Sequence, residues 1–103
     1  MKYGFRFLQL AQNDLHDVID YLAQYSLKSA QDFLDELDKR LLRVREFPKS
    51  CEIYRHNSNL RRLIIDNYLI FYEADEENKV INIYRILHSA RNIEKINLLD
   101  VEY

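Results

Sequence analysis

The apolar residues of this chain change period twice, and that change constrains the fold more than any single residue does. In "KYGFRFLQL" they alternate, with Tyr3, Phe5 and Phe7 pointing one way and Lys2, Gly4 and Arg6 the other. That is the pattern of a half-buried strand. In "NDLHDVIDYLAQY" the period lengthens. Leu15, Val18, Ile19 and Leu22 fall at i, i+3, i+4 and i+7, which is one helix face. "SAQDFLDELDKRLLRVREF" keeps that longer period through Ala30, Phe33, Leu34, Leu37, Leu41 and Val44 until Pro48 stops it. The short link from Tyr25 to Lys28 makes the two helices an antiparallel hairpin. After the polar, aperiodic loop "KSCEIYRHNSN", three runs return to strand composition: "LRRLIID", "YLIFYEA" and "VINIYRILH". Asp66-Asn67 and the run Asp75 to Lys79 separate them with hairpin chemistry.

The expected order is therefore β-α-α-β-β-β. It gives a two-layer α+β domain, an antiparallel meander with an N-terminal αα hairpin packed on one face. Gly4 is the only glycine and Pro48 the only proline, which favours a few long elements with tight links. At 103 residues the chain is one domain, 1–103, with a C-terminal tail from about residue 89. Asn13 is the expected cap of the first helix, with Asp14 and Asp17 suiting the positive end of its dipole. Ser29 and Asp32 read as a capping pair for the second. On strict alternation the last strand places Ile81, Ile83, Arg85 and Leu87 on one face and Asn82, Tyr84, Ile86 and His88 on the other.

Charge is unevenly spread. Acids dominate up to Asp38, and from Lys39 to Arg62 eight bases face only Glu46 and Glu52. A basic segment attracts nucleic acid or an acidic protein, although the net charge of −2 is unlike that of a general polyanion binder. Cys51, the only cysteine, has no internal disulfide partner and cannot build a cysteine zinc site. His16, His56 and His88 stand on different elements, so neither a metal nor another cofactor is expected. No run approaches the ~18 apolar residues of a membrane span, and no signal-like segment opens the chain. The expected setting is cytoplasmic, with no membrane partner.

The run "YRILHSARN" ends a core strand in Arg85, His88 and Arg91. RNA phosphodiester cleavage needs a base for the 2′-OH, an acid for the leaving 5′ oxygen and cations for the charge that builds on phosphorus. Histidine, here His88, is the residue type suited to proton transfer near neutral pH, and arginine matches phosphate geometry. Tyr84, Arg85, Arg61 and Arg62 complete a candidate catalytic set. The competing reading is the polar margin of a sheet, with the arginines paired to carboxylates.

Taken in order, "AQNDLHDVIDYLAQYS", "SAQDFLDELDKRLLRVREFPKSCEIY" and "LRRLIIDNYLIFYEADEENKVINIYRILHSARN" resemble the RelE/ParE superfamily of type II toxin–antitoxin toxins, the ParE-like branch most. The resemblance covers nearly the whole chain. It implies a growth-inhibiting, plasmid-stabilization type of toxin that a cognate antitoxin neutralises, alone as a homodimer or with antitoxin as a heterotetramer. ParE-like members poison DNA gyrase and are not nucleases. RelE-like members cut mRNA on the ribosome and are endoribonucleases. RNA-cutting members tend to carry an arginine just after the tyrosine that opens the middle strand, where this chain has Leu69. The resemblance thus implies gyrase as the first target, with the ribosome and its mRNA second. A non-toxic interaction module is the third reading. The tail holds more apolar residues than a short piece can bury, so Arg91, Leu98, Leu99 and Val101 are expected at a target or antitoxin contact.

Overall fold

The computed structural model describes residues 3–55 and 57–89. The elements run β1 (Gly4–Phe7), α1 (Gln9–Tyr25), α2 (Leu27–Glu46), β2 (Glu52–Ile53), β3 (Arg61–Ile65), β4 (Tyr68–Asp75) and β5 (Val80–His88). The α+β reading holds: a helical hairpin lies on one face of a single sheet. β3, β4 and β5 form the expected antiparallel meander. Two features extend it. β1 joins the edge parallel to β5, and β2, inside the segment read as loop, pairs with the start of β3. The sheet order is β1-β5-β4-β3-β2.

Both helices start earlier than the sequence pattern marks. α1 begins at Gln9, straight after Leu8, so Asn13 is not its cap and Asp14 lies within the helix. α2 begins at Leu27, and its cap is Ser26, whose hydroxyl accepts from the Ser29 N–H at 3.2 Å. One residue, Ser26, joins the hairpin. In the two turns the positive φ falls on Asp66 (51°) and Lys79 (55°). Asn78 serves the second turn as a donor, through its N–H to Asp75 at 3.1 Å.

Apolar burial occupies both faces of the sheet. On the helix side Val18, Phe33, Leu37, Leu41 and Val44 pack on Leu63, Ile65, Ile70, Tyr72, Ile81, Ile83 and Ile86. Full burial of such a side chain stabilises by about 1.5–3 kcal/mol. On the far side the loop after β2 folds back, so that Tyr54 and Leu60 cover Phe71, Tyr84 and Leu87 with Leu8. The Tyr54 ring meets Phe71 edge-on, centroids 4.9 Å apart.

The partition corrects the alternation read for β5. Phe71 pairs with Arg85 but Tyr72 with Ile83, which leaves Tyr84 unopposed. This is a β-bulge, an extra residue that shifts the side-chain parity beyond it. Ile81 and Ile83 are followed on the helix side by Ile86, while Tyr84 and Leu87 share the far side.

Candidate functional site

β1 pairs with β5 only as far as Ile83, and beyond it the Leu8 N–H closes on the Ile83 carbonyl at 3.0 Å. From the bulge to His88 no strand among the described residues lies beside the outer edge of β5. α1 passes over this gap. Asp14, on the α1 face turned to the sheet, accepts from Arg85 twice, Nε to Oδ2 at 2.7 Å and Nη2 to Oδ1 at 3.0 Å. The same Oδ2 accepts from the Ile86 N–H at 2.9 Å. Arg85 and Asp14 are 15% and 12% exposed, so the bidentate pair is largely desolvated and strongly directional. One carboxylate thus bonds both a guanidinium and an N–H that no strand among the described residues pairs.

Beside this clamp lies a groove of about 350 Å³ lined by Asp14, Asp17, Val18, Tyr21, Tyr68, Ile86, Leu87 and His88. The His88 ring stands edge-on to Tyr68, centroids 5.2 Å apart at 89°. Burial pushes the Tyr68 hydroxyl above its ordinary pKa. A hydrogen bond with Tyr25, which meets it ring to ring at 5.3 Å, raises that of Tyr21. Both tyrosines therefore stay neutral hydroxyl donors at physiological pH.

The other residues of the candidate catalytic set lie elsewhere. Arg61 points to the helix side of β3, where its Nη1 donates to the carbonyls of Cys51 at 2.7 Å and Lys49 at 3.3 Å. It fixes the loop after α2. Arg62 lies on the far face and pairs with Glu52 across the β2–β3 ladder. Its Nε is buried with no partner among the described residues. Tyr84 is buried on the far face, and its hydroxyl donates to Glu73 at 3.3 Å. Of the set, only His88 lines the groove, Arg85 is held at its margin by Asp14, and Arg61, Arg62 and Tyr84 lie elsewhere. Leu69, paired with Leu87, occupies the position after Tyr68. Arg91, Leu98, Leu99 and Val101 lie outside the described residues. Among the described residues no group of three or more His, Cys, Asp or Glu side chains is placed to hold a metal ion, and no helix is long and apolar enough to cross a membrane.

Sequence reasoning missed Asp14. Its partners lie 71 and 72 residues away, and nothing local distinguishes it from Asp17 or Asp20.

The helical hairpin packed on a five-stranded mixed sheet is the fold of a known class. A family model described as the ParE toxin of the type II toxin-antitoxin system, parDE, matches residues 5–93. The chain belongs to that family of type II toxins. No curated protein matches its sequence significantly. Among solved structures, the chain is similar to one in the RelBE2 toxin-antitoxin complex of Mycobacterium tuberculosis, with TM-score 0.62 and 18% identity over 85% of this chain and 99% of that one. It is also similar to one in the chromosomal ParDE system of P. aeruginosa, with TM-score 0.68 and 14% identity over 84% and 96%. At these identities the likeness is one of fold.

Proposed function

We propose that this toxin acts by protein contact on DNA gyrase and is held inactive by a cognate antitoxin. The observation that carries the reading is the commitment of the cations. Arg85 is locked by Asp14, Arg61 is spent on two loop carbonyls, and Arg62 is paired with Glu52. A phosphoryl transition state needs guanidinium groups aimed at one point, free to gain charge there. These three are held by separate partners, at the β5 edge, in the loop after α2 and on β2, and Leu69 stands where RNA-cutting relatives tend to carry arginine. The matching family model is the ParE one. Toxin–antitoxin complexes among the structural neighbours support an antitoxin partner.

The test is paired pulse-labelling of DNA and protein synthesis within minutes of inducing the chain alone in a bacterial host. This reading expects DNA synthesis to stop first while translation continues. His88→Ala should then remain toxic. Early arrest of translation, abolished by His88→Ala, overturns it in favour of the ribosome.

A further inference from the structure

The groove beside the Asp14–Arg85 clamp does not end at His88. A second groove, of about 640 Å³, continues from it toward the Asp66-Asn67 turn and is lined also by Leu22, Asp32 and Phe33. Tyr21, Tyr68 and His88 line both, so the two form one trough with a shared aromatic wall. Its size is that of a small-molecule site.

Tyr68 is the unusual member of that wall. It is only 7% exposed. Its ring lies edge-on to Phe33 and to His88, with centroids 5.2 Å from each. Among the described residues its hydroxyl makes no hydrogen bond. A buried hydroxyl without a partner is costly. The Tyr21 hydroxyl stands near it: the hydrogen bond with Tyr25 is the main cause of the raised Tyr21 pKa, and the Tyr68 hydroxyl adds to it. Tyr21 lines the same trough, so the unbonded oxygen of Tyr68 opens onto it.

The charge of the trough has one sign. Four carboxylates line it, with no lysine or arginine. Two are already neutralised, Asp14 by Arg85 and Asp32 by Lys28 at 3.0 Å. Asp17 in the first groove and Asp66 in the second make no ion pair among the described residues. Each half of the trough therefore keeps one uncompensated negative charge, and the wall between them is aromatic and apolar.

We propose that this trough binds a short linear diamine, laid along the shared wall with one ammonium at Asp17 and the other at Asp66. An ammonium is a compact charge that only donates hydrogen bonds. The one in the first groove donates to Asp17 and to the Tyr68 hydroxyl, which gives the buried oxygen its missing partner. The methylene stem packs on Val18 and Leu22, and the rings of Tyr21 and Tyr68 attract the cationic ends. The inference goes beyond the choice of toxin target and stands whether or not gyrase is that target.

The experiment titrates the full chain with diaminobutane at constant ionic strength and follows the tyrosine ring and backbone amide signals by NMR. Butylamine, with the same stem and one charge, is the comparison. The expected result is saturable binding that moves the Tyr21 and Tyr68 signals, at least about tenfold tighter for the diamine. Tyr68→Phe keeps the ring, removes the hydroxyl and should weaken binding about three- to tenfold. Asp17→Asn and Asp66→Asn change exposed positions, and each should weaken it severalfold. They decide the matter if Tyr68→Phe disturbs the fold. Asp20→Asn, an exposed acid of α1 outside the trough, should leave binding unchanged. Absence of saturable binding overturns the proposal, as does unchanged binding by a folded Tyr68→Phe variant. Equal affinity for butylamine, or equal weakening by Asp20→Asn, also overturns it, because either means diffuse attraction to an acidic surface.

Discussion

The two flanks of the sheet solve one problem with opposite charges. At β5 the unpaired group is the Ile86 N–H, and α1 meets it with the acid Asp14. At β3 it is the Ile64 carbonyl, and α2 meets it with the base Arg40. An exposed strand edge invites unwanted pairing, and a charged side chain laid on it blocks that. The two blocks differ in strength. Asp14 is largely buried, makes three hydrogen bonds and neutralises Arg85. Arg40 is 37% exposed and contributes one bond to the strand. One edge is sealed and the other is latched. Burial, more than the bond itself, makes the difference, because removing one partner of a desolvated pair strands the other.

The largest expected effect breaks the seal. Asp14→Ala leaves a buried guanidinium and a bare N–H, and should cost about 3–5 kcal/mol in urea unfolding. Joining it with Arg85→Met removes the stranded charge and should recover part of that, leaving about 1–3 kcal/mol for the Ile86 N–H. If the double variant is no better than Asp14→Ala, the pair is not what the carboxylate serves.

On the β3 flank the strongest effect should come from Arg61→Leu, at about 1–3 kcal/mol, because two loop carbonyls lose a charged donor. Next is Tyr72, fully buried on the same side, whose hydroxyl donates to the Pro48 carbonyl at 2.8 Å. Burial, with Cys51 beside it, raises its pKa well above the ordinary value of 10.0. A group whose folded pKa is raised contributes stability below its unfolded pKa and loses it as pH rises further. The protein should therefore destabilise as pH climbs above about 10. Tyr72→Phe should cost about 1 kcal/mol at pH 7 and flatten that alkaline loss. An unchanged alkaline limb in this variant assigns the loss to another group. The smallest effect is expected for Arg40→Ala, within about 1 kcal/mol.

The fold was legible in the sequence because periodicity is local. Val18 and Ile19 mark a helix face, and the Ile- and Tyr-rich runs mark strands, without reference to distant residues. The bulge at Tyr84 was not legible. No glycine or other breaker signals it there, and it reverses the faces of Ile86 and Leu87. The start of α1 was obscured because Gln9, Leu10 and Gln12 carry no boundary signal, and Asn13 looked like a cap. That misreading hid Asp14, which looked like dipole decoration while its partners sat on the last strand. Of the candidate set, His88 alone lines the groove; Arg85 is taken by Asp14 at that edge, and Tyr84, on the same strand, is buried on the far face. Arg61 and Arg62 could not both join it, since neighbours on a strand point to opposite faces.

Native-state hydrogen exchange tests the central contrast most directly, by comparing the amides of Ile86 and Ile64 in the free protein. Both face outward from a sheet edge with no strand beside them among the described residues. The sealed-and-latched account predicts that Ile86 exchanges only through near-global unfolding and that Ile64 exchanges through local fluctuations, orders of magnitude faster. Equal protection of the two amides, or faster exchange at Ile86, would contradict it.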